Sequence, residues 1–157
     1  MKAYRALGVL LVALACGTLT ADEFRISPRF RTVYIVSMNN SFDQYLANRL
    51  TNAHVLWVVL DPSSADAVLT DSLDENFWNW LSRTYPPEPG VSDKANTIYR
   101  STSGPTARQR GTIFLVDPRR RLVLWAAYEL PRDTSPTQLD RSAERITNQL
   151  KVAYGKR

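Results

Sequence analysis

The side chains that could carry chemistry are few in this 157-residue chain, and their types limit what it can do. His54 is the single histidine and Cys16 the single cysteine. A two-histidine metal site and an internal disulfide are excluded, and a Cys16 consumed by processing leaves no Cys-His nucleophile pair. A Ser-His-Asp triad would have to run through His54, yet no Gly-x-Ser-x-Gly elbow is present, and Ser103-Gly104 follows no strand signal. No glycine-rich dinucleotide or phosphate-loop pattern occurs, so no cofactor is expected. The densest carboxylate set is Asp61, Asp66, Asp71 and Asp74. A pair of these across a cleft could act as acid and base or hold Ca²⁺, but turn and capping roles suit each of them equally, because an aspartate accepts backbone N–H bonds.

Arginine is the other concentrated group. Arg100, Arg108, Arg110, Arg119, Arg120 and Arg121 fall in a 22-residue window whose one acidic residue is Asp117. Guanidinium forks match phosphate and carboxylate oxygens, so the window is a candidate surface for an anionic partner; the plainer reading is a solvated loop and hairpin tip. Over the whole chain the balance is weak. Beyond residue 15 there are 18 basic and 15 acidic residues, too small an excess for nucleic-acid binding to be expected.

The start of the chain has the order of a secretory signal peptide: a basic Met1-Lys2-Ala3-Tyr4-Arg5, ten uncharged residues from Ala6 to Ala15, then Cys16-Gly17 and a polar stretch. Ten residues of helix rise about 15 Å, half a hydrocarbon core, so the segment is too short to span a bilayer by itself. Ala13 and Ala15 place a cleavage site before Cys16, with alternative cleavage up to residue 21. Val12-Ala13-Leu14-Ala15-Cys16 resembles the bacterial lipobox, which implies a lipidated Cys16 at the new N-terminus. Gly17, rather than Asp, by the same resemblance favours the outer membrane. Residues 16–31, with Asp22, Glu23, Arg25, Arg29 and Arg31, read as a tether.

The remainder of the chain must hold these groups in place. Residues 32–38 are β-branched and aromatic and predict a first strand. Ser41 and Gln44 form a capping box before a helical stripe of Phe42, Tyr45, Leu46, Arg49 and Leu50. The six apolar residues 55–60 predict a central strand, and residues 65–70 a third. Ser72 and Glu75 make a second capping box, opening a helix over residues 73–84 with Phe77, Trp80 and Leu81 on its buried side. Trp78 lies at the margin of that stripe, either closing the core edge or standing as a partner anchor. Residues 86–110, rich in proline at their start, predict a long loop of the kind that is functional or disordered. Residues 111–116 and 122–128 predict a hairpin turning at Asp117 to Arg121. Ser135, Pro136 and Gln138 open a final helix that buries Leu139, Ala143, Ile146, Leu150 and Ala153.

The prediction is an α/β (α+β) domain over residues 32–154, a mixed sheet of four or five strands with three helices in the order β-α-β-β-α-loop-β-β-α. That order, with Ala65-Asp66-Ala67-Val68-Leu69 before the hairpin Phe114-Leu115-Val116-Asp117 to Leu124-Trp125, resembles a group of small bacterial envelope proteins. The group includes the TolB amino-terminal domain, CsgG-like domains and penicillin-binding-protein activator lipoproteins. The resemblance implies a noncatalytic assembly or binding role at the envelope. The expected partner is an envelope protein or an anionic envelope polymer or lipid, met through Trp78 and the arginines at 100, 108, 110, 119, 120 and 121. The alternative is an envelope hydrolase using Asp66, Asp71 or Asp74.

Overall fold

The computed structural model describes residues 30–86, 89 and 111–155. They form one five-stranded mixed sheet and three helices, in the order β1 Thr32–Ile35, α1 Phe42–Asn52, β2 Trp57–Val58, β3 Ala67–Thr70, α2 Glu75–Thr84, β4 Thr112–Asp117, β5 Leu122–Tyr128 and α3 Pro136–Ala153. The strands lie side by side as β2-β1-β3-β4-β5. The β1 strand runs parallel to both β2 and β3, and β4 runs antiparallel to β3 and β5. The expected signal segment with Cys16, most of the expected tether, and Arg100, Arg108 and Arg110 lie outside the described residues.

Alternation in the central strands sorts the core into two layers. Val33, Ala67, Leu69, Ile113 and Leu115 face α1 and α3, where Leu46, Leu50, Leu139, Ala143, Ile146 and Leu150 meet them. Val68 and Val116 face the other way, against Phe77, Trp78 and Leu81 of α2 and against Tyr85. A strand buried on both faces cannot show a period of two, and all four residues of β3 are buried. Arg49 of α1 pairs with Asp140 of α3 through its Nε at 2.8 Å, fixing the two helices of one layer to each other.

Several expectations are corrected. The apolar run 55–60 is not a central strand: only Trp57 and Val58 pair, and β2 is the edge of the sheet. Val55 and Leu56 are buried in the core, while Leu60 is exposed, so the run marks a chain leaving the core rather than crossing it. Ser41 and Ser135 stand at the N-cap positions of α1 and α3, the latter before Pro136 as expected, but none of the three serines makes the expected side-chain capping bond. Ser41 sits at φ 58°, next to Asn40 at 56°, and makes no capping bond; the Asp43 carboxylate reaches back to the Met38 amide instead. For α2 the cap is Asp74, whose Oδ1 accepts the Phe77 amide at 2.8 Å. Ser135 makes no side-chain cap, and its own amide is held by Asp133. Phe30, within the expected tether, is buried in the core.

Candidate functional site

The two ends of the sheet carry different groups. At the carboxyl ends of β1 and β3, where crossovers send the chain to α1 and α2, a cleft of about 940 Å³ opens. Such a place is where open parallel sheets commonly hold ligands, since strand ends and helix starts diverge there. Asn39, Asn40, Asp71, Asp74, Trp80 and Arg132 are among the residues bordering it. Gly111 closes one side at φ 94°, where a Cβ would come to 3.2 Å of the Glu129 carbonyl oxygen.

The carboxylates here are mostly committed. Asp74 caps α2, Asp133 holds the Ser135 amide, and Glu129 accepts Arg145 Nε at 2.8 Å. Asp71 borders the same cleft directly after β3. Asp66 stands at the opposite end of the sheet, where its Oδ2 accepts the amides of Arg31 and Thr32, both at 2.9 Å. Partial burial opposes its ionisation, but those two amides, the Thr32 hydroxyl and the Arg31 charge together hold its carboxyl below the usual range. Asp61 is bound by the hydroxyl and the amide of Ser63, which lower its pKa. The cleft therefore brings together Asp71 and Asp74 but not Asp66 or Asp61, and Asp74 is engaged as a helix cap.

The hairpin tip lies at the amino ends of β1 and β3, because β4 runs antiparallel to β3 with Val68 opposite Val116. Asp117 is buried and its Oδ1 accepts the amides of Arg119 and Arg120, each at 3.0 Å. This pins the turn from within, and Arg119 and Arg120 are exposed on it. Arg121 is a correction to the expected arginine surface. It is 4% exposed, at φ 58°, and its guanidinium donates to the Pro118 and Tyr85 carbonyls at 2.8 Å each. Tyr85 in turn donates its hydroxyl to the Pro62 carbonyl. Burial, with Tyr34 and Asp61 nearby, pushes that phenol up to about 12, and the Arg119 charge partly offsets this. Arg121 is thus the post on which the tip is mounted, joining it to the end of α2 and to the turn before β3.

Trp78 is the second correction. Its ring is 2% exposed and meets Phe77 edge to face at 5.2 Å, so it closes the core and offers no anchor. His54 lies at φ 52° with Nδ1 2.9 Å from the Asn52 carbonyl, a turn residue. Among the described residues no group of three or more His, Cys, Asp or Glu side chains is placed to hold a metal ion, and no helix is long and apolar enough to cross a membrane. The cleft itself is not among the sequence expectations. Its signal was the residue pairs directly after two predicted strands, Asn39-Asn40 and Asp71-Ser72. Comparison of the chain with family models, with curated proteins and with solved structures returned no match in any of the three.

Proposed function

We propose that this chain is an exported, lipid-anchored and noncatalytic binding module of the bacterial envelope, joined to the outer membrane through Cys16 and meeting an anionic partner at Arg119 and Arg120. One observation supports the binding reading over the hydrolytic one: of the hydrolase candidates Asp66, Asp71 and Asp74, the first stands at the opposite end of the sheet from the other two, and Asp66 and Asp74 both accept backbone amides. At Asp66 those amides favour the ionised form, which makes it a poor proton carrier. The pinned turn supports the partner site. Two exposed cations on a rigid backbone meet an anion with less ordering cost than the same cations on a free loop.

The anchoring half is tested by the intact mass of the mature protein. The expected mass is that of a chain beginning at Cys16 with acyl groups added, and Cys16→Ser should release the protein into the soluble fraction. Several acyl chains at about 0.8 kcal/mol per buried methylene hold a protein where one does not. An unmodified chain beginning at Cys16 or later would contradict lipidation. The binding half is tested by recovering partners from detergent-solubilised envelopes and identifying them by mass spectrometry.

A further inference from the structure

Among the described residues Trp57 and Tyr128 are large exposed aromatic side chains that belong to neither the cleft nor the core. Trp57, 68% exposed, stands on the edge strand β2, and no described strand covers its outer side. Its amide donates to the Arg31 carbonyl at 2.9 Å, so it flanks the first residues of the domain. With Phe30, Arg31, His54 and Tyr154 it borders a hollow of about 320 Å³. Strand direction then places a third group on the same end of the sheet. Thr32 pairs with Trp57 at the start of the parallel strands, and the Arg119–Arg120 turn follows β4 beyond Asp117, past the start of β3. Tryptophan beside arginine is the pairing that suits a lipid headgroup layer, the indole at the boundary and the guanidinium on phosphate oxygens.

Chain length favours the same occupant. Phe30 comes fourteen residues after Cys16. A link of that length cannot exceed about 50 Å, so a Cys16 fixed in a bilayer keeps this end of the sheet near the lipid. The effective concentration of such a leash is on the order of millimolar, enough to populate a contact too weak to act alone. We infer that the end of the sheet carrying Trp57, Arg31, Arg119 and Arg120 rests on the phospholipid headgroups of the anchoring membrane, with the Asp71 cleft turned away from it. This rests on the anchored reading above and names the anionic partner of the same turn.

The test does not require that a cell acylate the protein. The chain from Cys16 onward is coupled through that sulfur to maleimide-headgroup lipid in vesicles of phosphatidylethanolamine and phosphatidylglycerol, with and without brominated acyl chains. The Trp57 signal is the difference between the wild-type chain and Trp57→Phe. Brominated lipid should quench that difference signal at least twofold, and Arg119→Ser with Arg120→Ser should restore most of it. An unquenched Trp57 signal would overturn the inference, as would a signal that changes only with protein density on the vesicle, the mark of a second copy covering the edge. Failure here with an acylated Cys16 in cells leaves the anchored reading standing, while quenching with an unmodified Cys16 in cells removes that reading alone.

Discussion

Three consecutive arginines with the same side chain have two different physical roles. Arg119 and Arg120 give their amides to the Asp117 carboxylate and keep exposed side chains, whereas Arg121 commits its guanidinium to two carbonyls in a buried site. Replacing both Arg119 and Arg120 with Ser should change unfolding free energy by less than about 0.5 kcal/mol, since exposed charges contribute little. Arg121→Met should cost about 2–4 kcal/mol, because charged hydrogen bonds are lost and two carbonyls are left without donors. Urea denaturation of the two variants checks both values. Asp66 gives a pH-dependent counterpart. Its folded pKa is depressed, so its contribution is present above the unfolded aspartate value of about 3.9 and is lost as pH falls through the lower folded one. Asp66→Asn should therefore melt below the wild type at pH 7, with the gap closing as pH falls from the unfolded value of about 3.9 through the lower folded one. None of this is legible in the run Asp117-Pro118-Arg119-Arg120-Arg121, because a positive φ at Arg121 and a carbonyl from Tyr85 belong to the folded turn, not to residue type.

At the scale of the element, periodicity was readable and capping was not. The strand β5 and the helix α3 have the predicted extents to within a residue or two, because a long amphipathic or β-branched run leaves few alternatives. Caps depend on one backbone dihedral, which neighbours decide. Asn40 and Ser41 in left-handed conformations take the Ser41 hydroxyl out of capping range, and Ser72 lies two positions before the aspartate that caps α2. The order of effects should therefore reverse the sequence expectation. Asp74→Ala should destabilise by about 1 kcal/mol, while Ser41→Ala and Ser135→Ala should each stay within about 0.5 kcal/mol. Thermal melts of the three variants decide it. The run 55–60 misled for a different reason: a strand buried on both faces and a chain passing from core to surface both read as consecutive apolar residues.

The whole molecule is a sheet between two unequal helical layers, with a cleft at one end and a basic, aromatic rim at the other. That division was not legible in the sequence, where Asp66 and Asp71 are five residues apart and read as one cluster. One strand, β3, separates them and sends them to opposite ends. The central claim is that the rim carrying Arg119 and Arg120 binds an anionic envelope partner and that this binding, not turnover, is what the domain does. Its most direct test is sedimentation of the unanchored Cys16→Ser chain with isolated envelopes at low and moderate salt, beside the same chain carrying Arg119→Ser and Arg120→Ser. Retention of the first should fall several-fold as salt rises, since contacts between exposed charges are screened, and the second should show weak retention at either salt. Equal retention of the two chains at both salt concentrations would contradict the claim.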